Sequence, residues 1–270
     1  MNPLDIVQRT PKTNCGQCGY PTCLAFAANV TRSGEDPRKC PFLRLDGLVL
    51  DKRPGAGLDK LGEQHDLELV RRLRGQIADL DLAAIAPALG IHPPSAENDG
   101  RLSFSYLSHQ VLLDQRTLLI DGREPEDPRD QILLYNYIRF GGGAPPTGEW
   151  IGLESLPNSI SKVKTLARYC EEPLARLFAG QERTKIIAAC HSVGAVPLSS
   201  AATDLTFLVP VLPRLPQQLL FWDEEKEDAF PARVKILYDA GVLDYLDLES
   251  LVFSSERLAE KIIRFFTTMP

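Results

Sequence analysis

Hydrophobic and polar positions along the chain change their period several times, and each change predicts a different kind of element. Leu69, Leu73, Ile77 and Leu80 recur at spacings of three and four against Arg71, Arg72 and Arg74, which predicts an amphipathic helix capped by Asp66. A second short helix, capped by Asp81, runs through Leu82, Ile85, Ala86 and Leu89 and stops at Gly90. From Arg101 the period falls to two. Leu102, Phe104 and Tyr106 alternate with Arg101, Ser103 and Ser105, and the apolar runs at 111–113 and 117–120 follow after short polar breaks, which predicts a small antiparallel meander. Helical spacing returns over Pro128–Phe140, ended by Gly141-Gly142-Gly143, and again over 163–179 and Arg183–His191. Apolar stretches at 204–212, 217–222 and 232–238 predict strands, and a helix over 255–266 closes the chain. Strands and helices grouped in blocks, without regular βαβ alternation, predict an α+β fold with antiparallel strands.

The first fifty residues carry a different signal. Cys15, Cys18, Cys23 and Cys40 are spaced C-x2-C-x4-C-x16-C, with Pro41 directly after the fourth. A [4Fe-4S] cube needs four thiolates converging from different directions, and three within nine residues supply one loop wrapped round it. Gly16 and Gly19 follow the first two cysteines, where the backbone must turn sharply, turn N–H groups toward sulfur and approach the inorganic core without a Cβ to clash. The run from Cys23 to Val30 is rich in helix formers, so a helix is expected to start at the third ligand with its N-terminal dipole toward an anionic cluster. Ser33-Gly34 is expected to end it, and Glu35-Asp36-Pro37-Arg38-Lys39 to bring Cys40 back. Structural zinc also takes four thiolates, but its usual signature is two separated C-x2-C knuckles, and this chain has one. A disulfide framework would need an oxidising compartment.

The segment from Thr13 to Ala27, with Lys39-Cys40-Pro41, resembles the iron-sulfur module of the corrinoid iron-sulfur protein large subunit, and the Rnf complex B subunit carries a similar module. In those families four matching cysteines bind one [4Fe-4S] cluster that moves single electrons at low potential. The resemblance implies that Cys15, Cys18, Cys23 and Cys40 hold the iron of such a cluster here. It covers about the first 45 residues, and no corrinoid-binding barrel or second ferredoxin-type repeat follows. The pieces Gly148-Glu149-Trp150-Ile151, the run from Leu205 to Pro213, Phe221-Trp222-Asp223 and Phe230-Pro231-Ala232-Arg233 resemble an uncharacterised domain family of anaerobes, often joined to this kind of module and without a known reaction. The expected organisation is a cluster-binding module at 1–50, a linker at 51–60 with Pro54, Gly55 and Gly57, and an α+β domain of unknown function at 61–270.

Composition narrows the function classes. At 270 residues, 44% hydrophobic and 24% charged, the chain is long enough for one larger domain and a small appendage. No apolar run approaches the ~20 residues that span a bilayer, and the N-terminus lacks the features of a signal peptide, so a cytoplasmic location without membrane insertion is expected. An exposed cluster would suit an anaerobic cell. Net charge is −6, yet residues 1–60 hold nine Lys or Arg against six Asp or Glu. Arg32, Arg38, Lys39 and Arg44 would balance an anionic cluster or offer a docking face to an acidic electron carrier. Nucleic-acid binding is not expected, because no basic stripe with interleaved aromatics occurs and the larger domain is acidic.

Other motifs carry less. Gly141-Gly142-Gly143 lacks the strand before it and the Lys-Ser/Thr after it that a phosphate loop needs. Cys190-His191-Ser192 places neighbouring side chains on different sides of a helix, so Cys190, like Cys170, reads as core. His65, His92 and His109 are isolated and read as surface or cap residues, and 223–228 reads as a solvated turn. Trp150 and Trp222 fit core anchors or the wall of a pocket. The expected function is one-electron transfer to or from a redox partner such as a ferredoxin, flavodoxin or corrinoid protein. The alternatives are a cluster-dependent reductase or corrinoid-reactivating enzyme using the larger domain, and a structural or sensing role for the cluster.

Overall fold

The computed structural model describes residues 3–20, 22–32, 35–45, 56–95, 97, 99–225, 227 and 229–269. The chain divides into two compact units, Met1–Glu68 and Leu69–Pro270, with the division inside one helix. Residues 51–55 of the expected linker, and the expected helix stop at Ser33-Gly34, lie outside the described residues. Residues 56–60, also expected as linker, are helical.

In the first unit, α1 (Pro3–Gln8) and α2 (Cys23–Arg32) enclose a small core of Ile6, Phe26, Ala27, Val30, Cys40 and Leu43. Phe26, Ala27 and Val30 lie at helical spacing and so bury one face of α2. A single 3-10 turn, Pro37–Lys39, precedes Cys40; Asp36 caps it by accepting the Arg38 N–H.

A longer helix, α3 (Ala56–Ile77), begins ten residues before the expected cap at Asp66 and ends before Leu80. Its Val70, Leu73 and Ile77 are buried in the core of the second unit. α4 (Leu82–Ile85) follows, with Asp81 accepting from the N–H groups of Ala83 and Ala84 as its sequence predicts. The expected meander is present as β1 (Leu102–Tyr106), β2 (His109–Leu113) and β3 (Leu118–Ile120), paired antiparallel in that order. The helix α5 (Pro128–Phe140) has its expected bounds, with Asp127 as cap, Pro128 in the first turn and Gly141 at φ 77° closing it, a conformation few residues but glycine accept.

The second sheet has the order β4-β8-β7-β6-β5, antiparallel throughout: β4 (Trp150–Gly152), β5 (Val196–Leu198), β6 (Leu205–Leu212), β7 (Leu215–Trp222) and β8 (Arg233–Asp239). Strict alternation of burial along β7 places Leu215, Gln217, Leu219 and Phe221 on the core face. Helices α6 (Ile160–Leu166), α7 (Glu172–Phe178), α8 (Arg183–His191) and α9 (Leu248–Thr268) complete the unit; a π-helical turn at Ala167–Glu171 joins α6 to α7. α9 starts two turns earlier than expected, capped by Asp247. Ser255 is buried and bonds Gln217 Oε1 at 3.1 Å inside the core. The fold is α+β, a small cysteine-bearing N-terminal unit followed by a larger mixed unit with antiparallel sheets.

Candidate metal centre

The four N-terminal cysteines line one concave pocket of the first unit, together with Tyr20, Phe26 and Phe42. Cys15 is exposed, Cys18 and Cys23 are half-buried and Cys40 is buried, so the pocket opens to solvent on the Cys15 side. Each thiol reaches it from a different piece of chain: Cys15 and Cys18 from a loop, Cys23 from the first residue of α2, and Cys40 from the end of the 3-10 turn.

The loop is built to turn N–H groups inward. φ is positive at Lys12 (57°), Asn14 (51°) and Gly16 (72°), and again at Gly19 (82°). Alternation in the sign of φ curls successive N–H groups to one side, the arrangement by which backbone amides cradle an anion. The glycines are required by conformation and not by crowding from the chain: a Cβ on Gly19 would meet no protein atom within 4 Å, and one on Gly16 only the Tyr20 carbonyl at 4.0 Å. The clash expected from the sequence therefore does not come from protein atoms.

Thr22 caps α2 by accepting the Ala25 N–H at 3.0 Å, and Asn14 Oδ1 accepts the Cys23 N–H at 2.9 Å. The Cys23 thiol is pulled below its ordinary pKa, first by the Thr10 hydroxyl and then by the backbone N–H groups of Asn14, Lys12 and Cys23 itself, while burial pushes the other way. The Thr10 hydroxyl also has the Val7 carbonyl at 2.8 Å, so two acceptors compete for its hydrogen. A sulfur held as thiolate is the form that binds iron or zinc.

Tyr20, Glu35 and Lys39 tie the loop to the returning segment. The Tyr20 hydroxyl donates to Glu35 Oε2 at 2.6 Å, and Lys39 Nζ lies 2.9 Å from Glu35 Oε1. The Tyr20 hydroxyl, ahead of Lys39, brings the Glu35 carboxyl down to about 2. Lys39 thus has a carboxylate partner of its own, while Arg38 and Arg44 are exposed; the side chain of Arg32 lies outside the described residues. The sequence assigns Glu35 only to the polar return before Cys40, and gives Thr10 and the Asn14 side chain no role. Asn14 was detectable, since asparagine is enriched both at positive φ and as a local acceptor; Thr10 was not.

The donor set fits an iron-sulfur cluster: four thiols around one pocket, inward-curled amides and a helix N-terminus beside it. Among the described residues no three Cys, His, Asp or Glu side chains are grouped closely enough to hold a single metal ion.

The remaining sequence candidates lie elsewhere. Cys170 and Cys190 are buried in the core of the second unit; burial pushes the Cys190 thiol up to about 12 and that of Cys170 further still. Ser192 donates to the Ala189 carbonyl at 2.7 Å, which leaves no nucleophile pair with His191. His65 and His92 are exposed, and His109 lies 2.7 Å from Asp121. Trp222 stacks under Arg233 and donates its indole N–H to the Ala202 carbonyl.

Residues 11–42 match the family described as "Putative Fe-S cluster". The corrinoid/iron-sulfur protein large subunit of Moorella thermoacetica is 48% identical over 40 residues, which cover 15% of this chain and 9% of that protein. The acetyl-CoA decarbonylase/synthase complex subunit gamma of Methanocaldococcus jannaschii is 42% identical over 53 residues, 20% and 11% of the two chains. Subunit gamma 2 of the same complex in Methanosarcina mazei is 49% identical over 61 residues, 22% and 12%. The chain thus spans about a tenth of the length of the curated relatives it matches. No solved structure matches. These similarities support iron-sulfur cluster binding by the N-terminal segment. Among the described residues no helix is long and apolar enough to cross a membrane. Residues 81–261, well over half of the chain, match the family described as "Domain of unknown function (DUF3786)", and the chain belongs to that family.

Proposed function

We propose that this chain is a [4Fe-4S] protein that exchanges single electrons with a redox partner, with Cys15, Cys18, Cys23 and Cys40 as the cluster ligands. The observation that carries the reading is that these four thiols, and neither Cys170 nor Cys190, line one pocket at the N-terminus of α2. A bound cluster would supply a one-electron couple between its 2+ and 1+ states, with a potential set by burial, charge and hydrogen bonds to sulfur. The chain's own part is to hold four thiolates, to aim the amides of the 12–16 loop at sulfur, and to keep Cys40 out of water. The exposure of Cys15 and of the apolar Phe42 leaves the mouth of the pocket open to a partner.

In this reading residues 1–50 form the cluster module and 61–270 the domain that holds a partner or second cofactor. The partner is a ferredoxin, a flavodoxin or a corrinoid protein, and the setting is an anaerobic cytoplasm. The names of the relatives favour a second reading, in which electrons pass to a corrinoid held by the larger domain or by another subunit. A redox titration of the anaerobically purified chain, followed by EPR, tests the proposal. It predicts a one-electron transition toward the low end of the range of about −700 to +450 mV; the absence of any transition would remove it. Reduction of added cobalamin by the reduced chain would select the corrinoid reading.

A further inference from the structure

The second unit contains a cleft of about 800 Å³, bounded by β2, β3, the loop leading to α5, and α9. That volume is in the range of sites for small molecules, roughly 300–1,000 Å³, but most of the side chains around it are charged. Its floor is a buried ion-pair network. Asp130 accepts both Arg257 Nε and Nη2 at 3.0 Å and the Tyr106 hydroxyl at 2.7 Å, and Asp130 and Arg257 are each 6% exposed.

The carboxylates of this cleft are largely spent. Asp121 is taken by His109 and by the Gln110 N–H at 2.9 Å, Asp127 by Arg129 and Arg257, and Glu260 by the same two arginines. Of the cleft's carboxylates, Glu124 and Glu126, both exposed on the rim, have no such partner among the described residues. Three of the cations are not spent in this way. Lys261, with a side chain 24% exposed, has its nearest carboxylate oxygen at 3.9 Å, and that oxygen, Asp130 Oδ2, already accepts from Arg257. The Lys261 ammonium sits 5.3 Å from the centre of the Tyr106 ring and forms no protein hydrogen bond among the described residues. Arg264, one turn along α9, and Arg123, from the loop after β3, form no ion pair among the described residues. A divalent cation would find every acid but the exposed Glu124 and Glu126 already occupied, whereas an oxyanion would find three donors waiting over a fixed floor.

We propose that this cleft binds a small molecule bearing phosphate or carboxylate oxyanions, held by Lys261, Arg264 and Arg123. Burial lowers the Lys261 pKa ahead of the opposing pull of Asp130, the cost of keeping an ammonium without a full partner that a bound oxyanion would relieve. No residue lines both this cleft and the cysteine pocket.

Calorimetric titration of the full chain with inorganic pyrophosphate and, separately, with citrate tests this. At least one probe is expected to bind with a Kd below about 1 mM, weakening as salt is raised. Lys261→Gln and Arg264→Gln should each weaken that binding about tenfold, while Arg183→Gln, on α8 and outside the cleft, leaves it unchanged. Arg264 is exposed, so its replacement does not threaten the fold and keeps the test valid if Lys261→Gln proves unstable. Which probe binds separates phosphate from carboxylate ligands. No binding of either probe, or equal binding by the wild type and both cleft variants, would overturn the proposal.

Discussion

Asn14 and Cys23 are joined by a hydrogen bond in which the Asn14 side-chain oxygen accepts the Cys23 backbone N–H at 2.9 Å. One residue thereby fixes the loop that carries Cys15 to the helix that carries Cys23, and it does so from a left-handed conformation at φ 51° that asparagine tolerates better than most. Asn14→Gly keeps the conformation and loses the acceptor; Asn14→Ala loses both. The account predicts that iron leaves the alanine variant for a chelator faster than the glycine variant, and the glycine variant faster than the wild type. The lost hydrogen bond alone is worth about 1 kcal/mol to the module. Equal release rates in all three would show that the bond does not hold the loop.

The two buried cysteines should behave as core. With its thiol pushed up to about 12, Cys190 is ionised in roughly one molecule in ten thousand at pH 8, and Cys170 less often. Iodoacetamide at that pH is expected to leave both unmodified in the folded chain and to label both in denaturant, as read by intact mass. Cys170→Ser and Cys190→Ser should retain full iron, whereas serine at Cys15, Cys18, Cys23 or Cys40 lowers it. Loss of iron on replacing Cys170 or Cys190 would count against the ligand set.

Arg257 neutralises Asp130 where neither reaches much water. Arg257→Leu strands a buried carboxylate and is expected to cost roughly 3 kcal/mol, lowering the thermal transition of the second unit by roughly 6–10 °C. Arg129→Gln removes two ion pairs that are more exposed and should cost no more than about 1 kcal/mol. Differential scanning calorimetry compares the two; similar shifts would mean that the buried network is not what holds α5 to α9.

Glu35 gives a pH dependence with a definite sign. Its folded pKa of about 2 lies below its ordinary 4.5, so the stability it lends is complete above 4.5 and is lost as pH falls toward 2. Tyr20→Phe removes the largest cause and should move the Glu35 titration upward, followed by NMR of the side-chain carboxyl. An unmoved midpoint would show that the Tyr20 hydroxyl does not act on Glu35.

Local chemistry made parts of the fold legible. Asp127, Pro128 and Gly141 bracket α5 because each satisfies or ends a helix terminus by itself. Alternation revealed β1 because one face is largely buried, and the apolar run at 111–113 marked β2. What failed was short or depended on distant partners. β4 and β5 have three residues each, too few to show a period, and α1 spans only six. Ser254 and Ser255 look like a cap in sequence, but they lie inside α9 because Gln217, on another element, takes their hydroxyls. Asp66 has the same look and lies inside α3. The four cysteines were legible because three fall within nine residues. The anion cleft was not, since residues 109–130 and 257–264 meet only once the chain is folded.

Iron and acid-labile sulfide per chain, measured on protein purified without oxygen, test the central claim most directly, with EPR of the dithionite-reduced sample. The account predicts close to four of each and the signal of a reduced [4Fe-4S] cluster. Zinc in place of iron, with no sulfide, would contradict it and make the four cysteines a structural clasp.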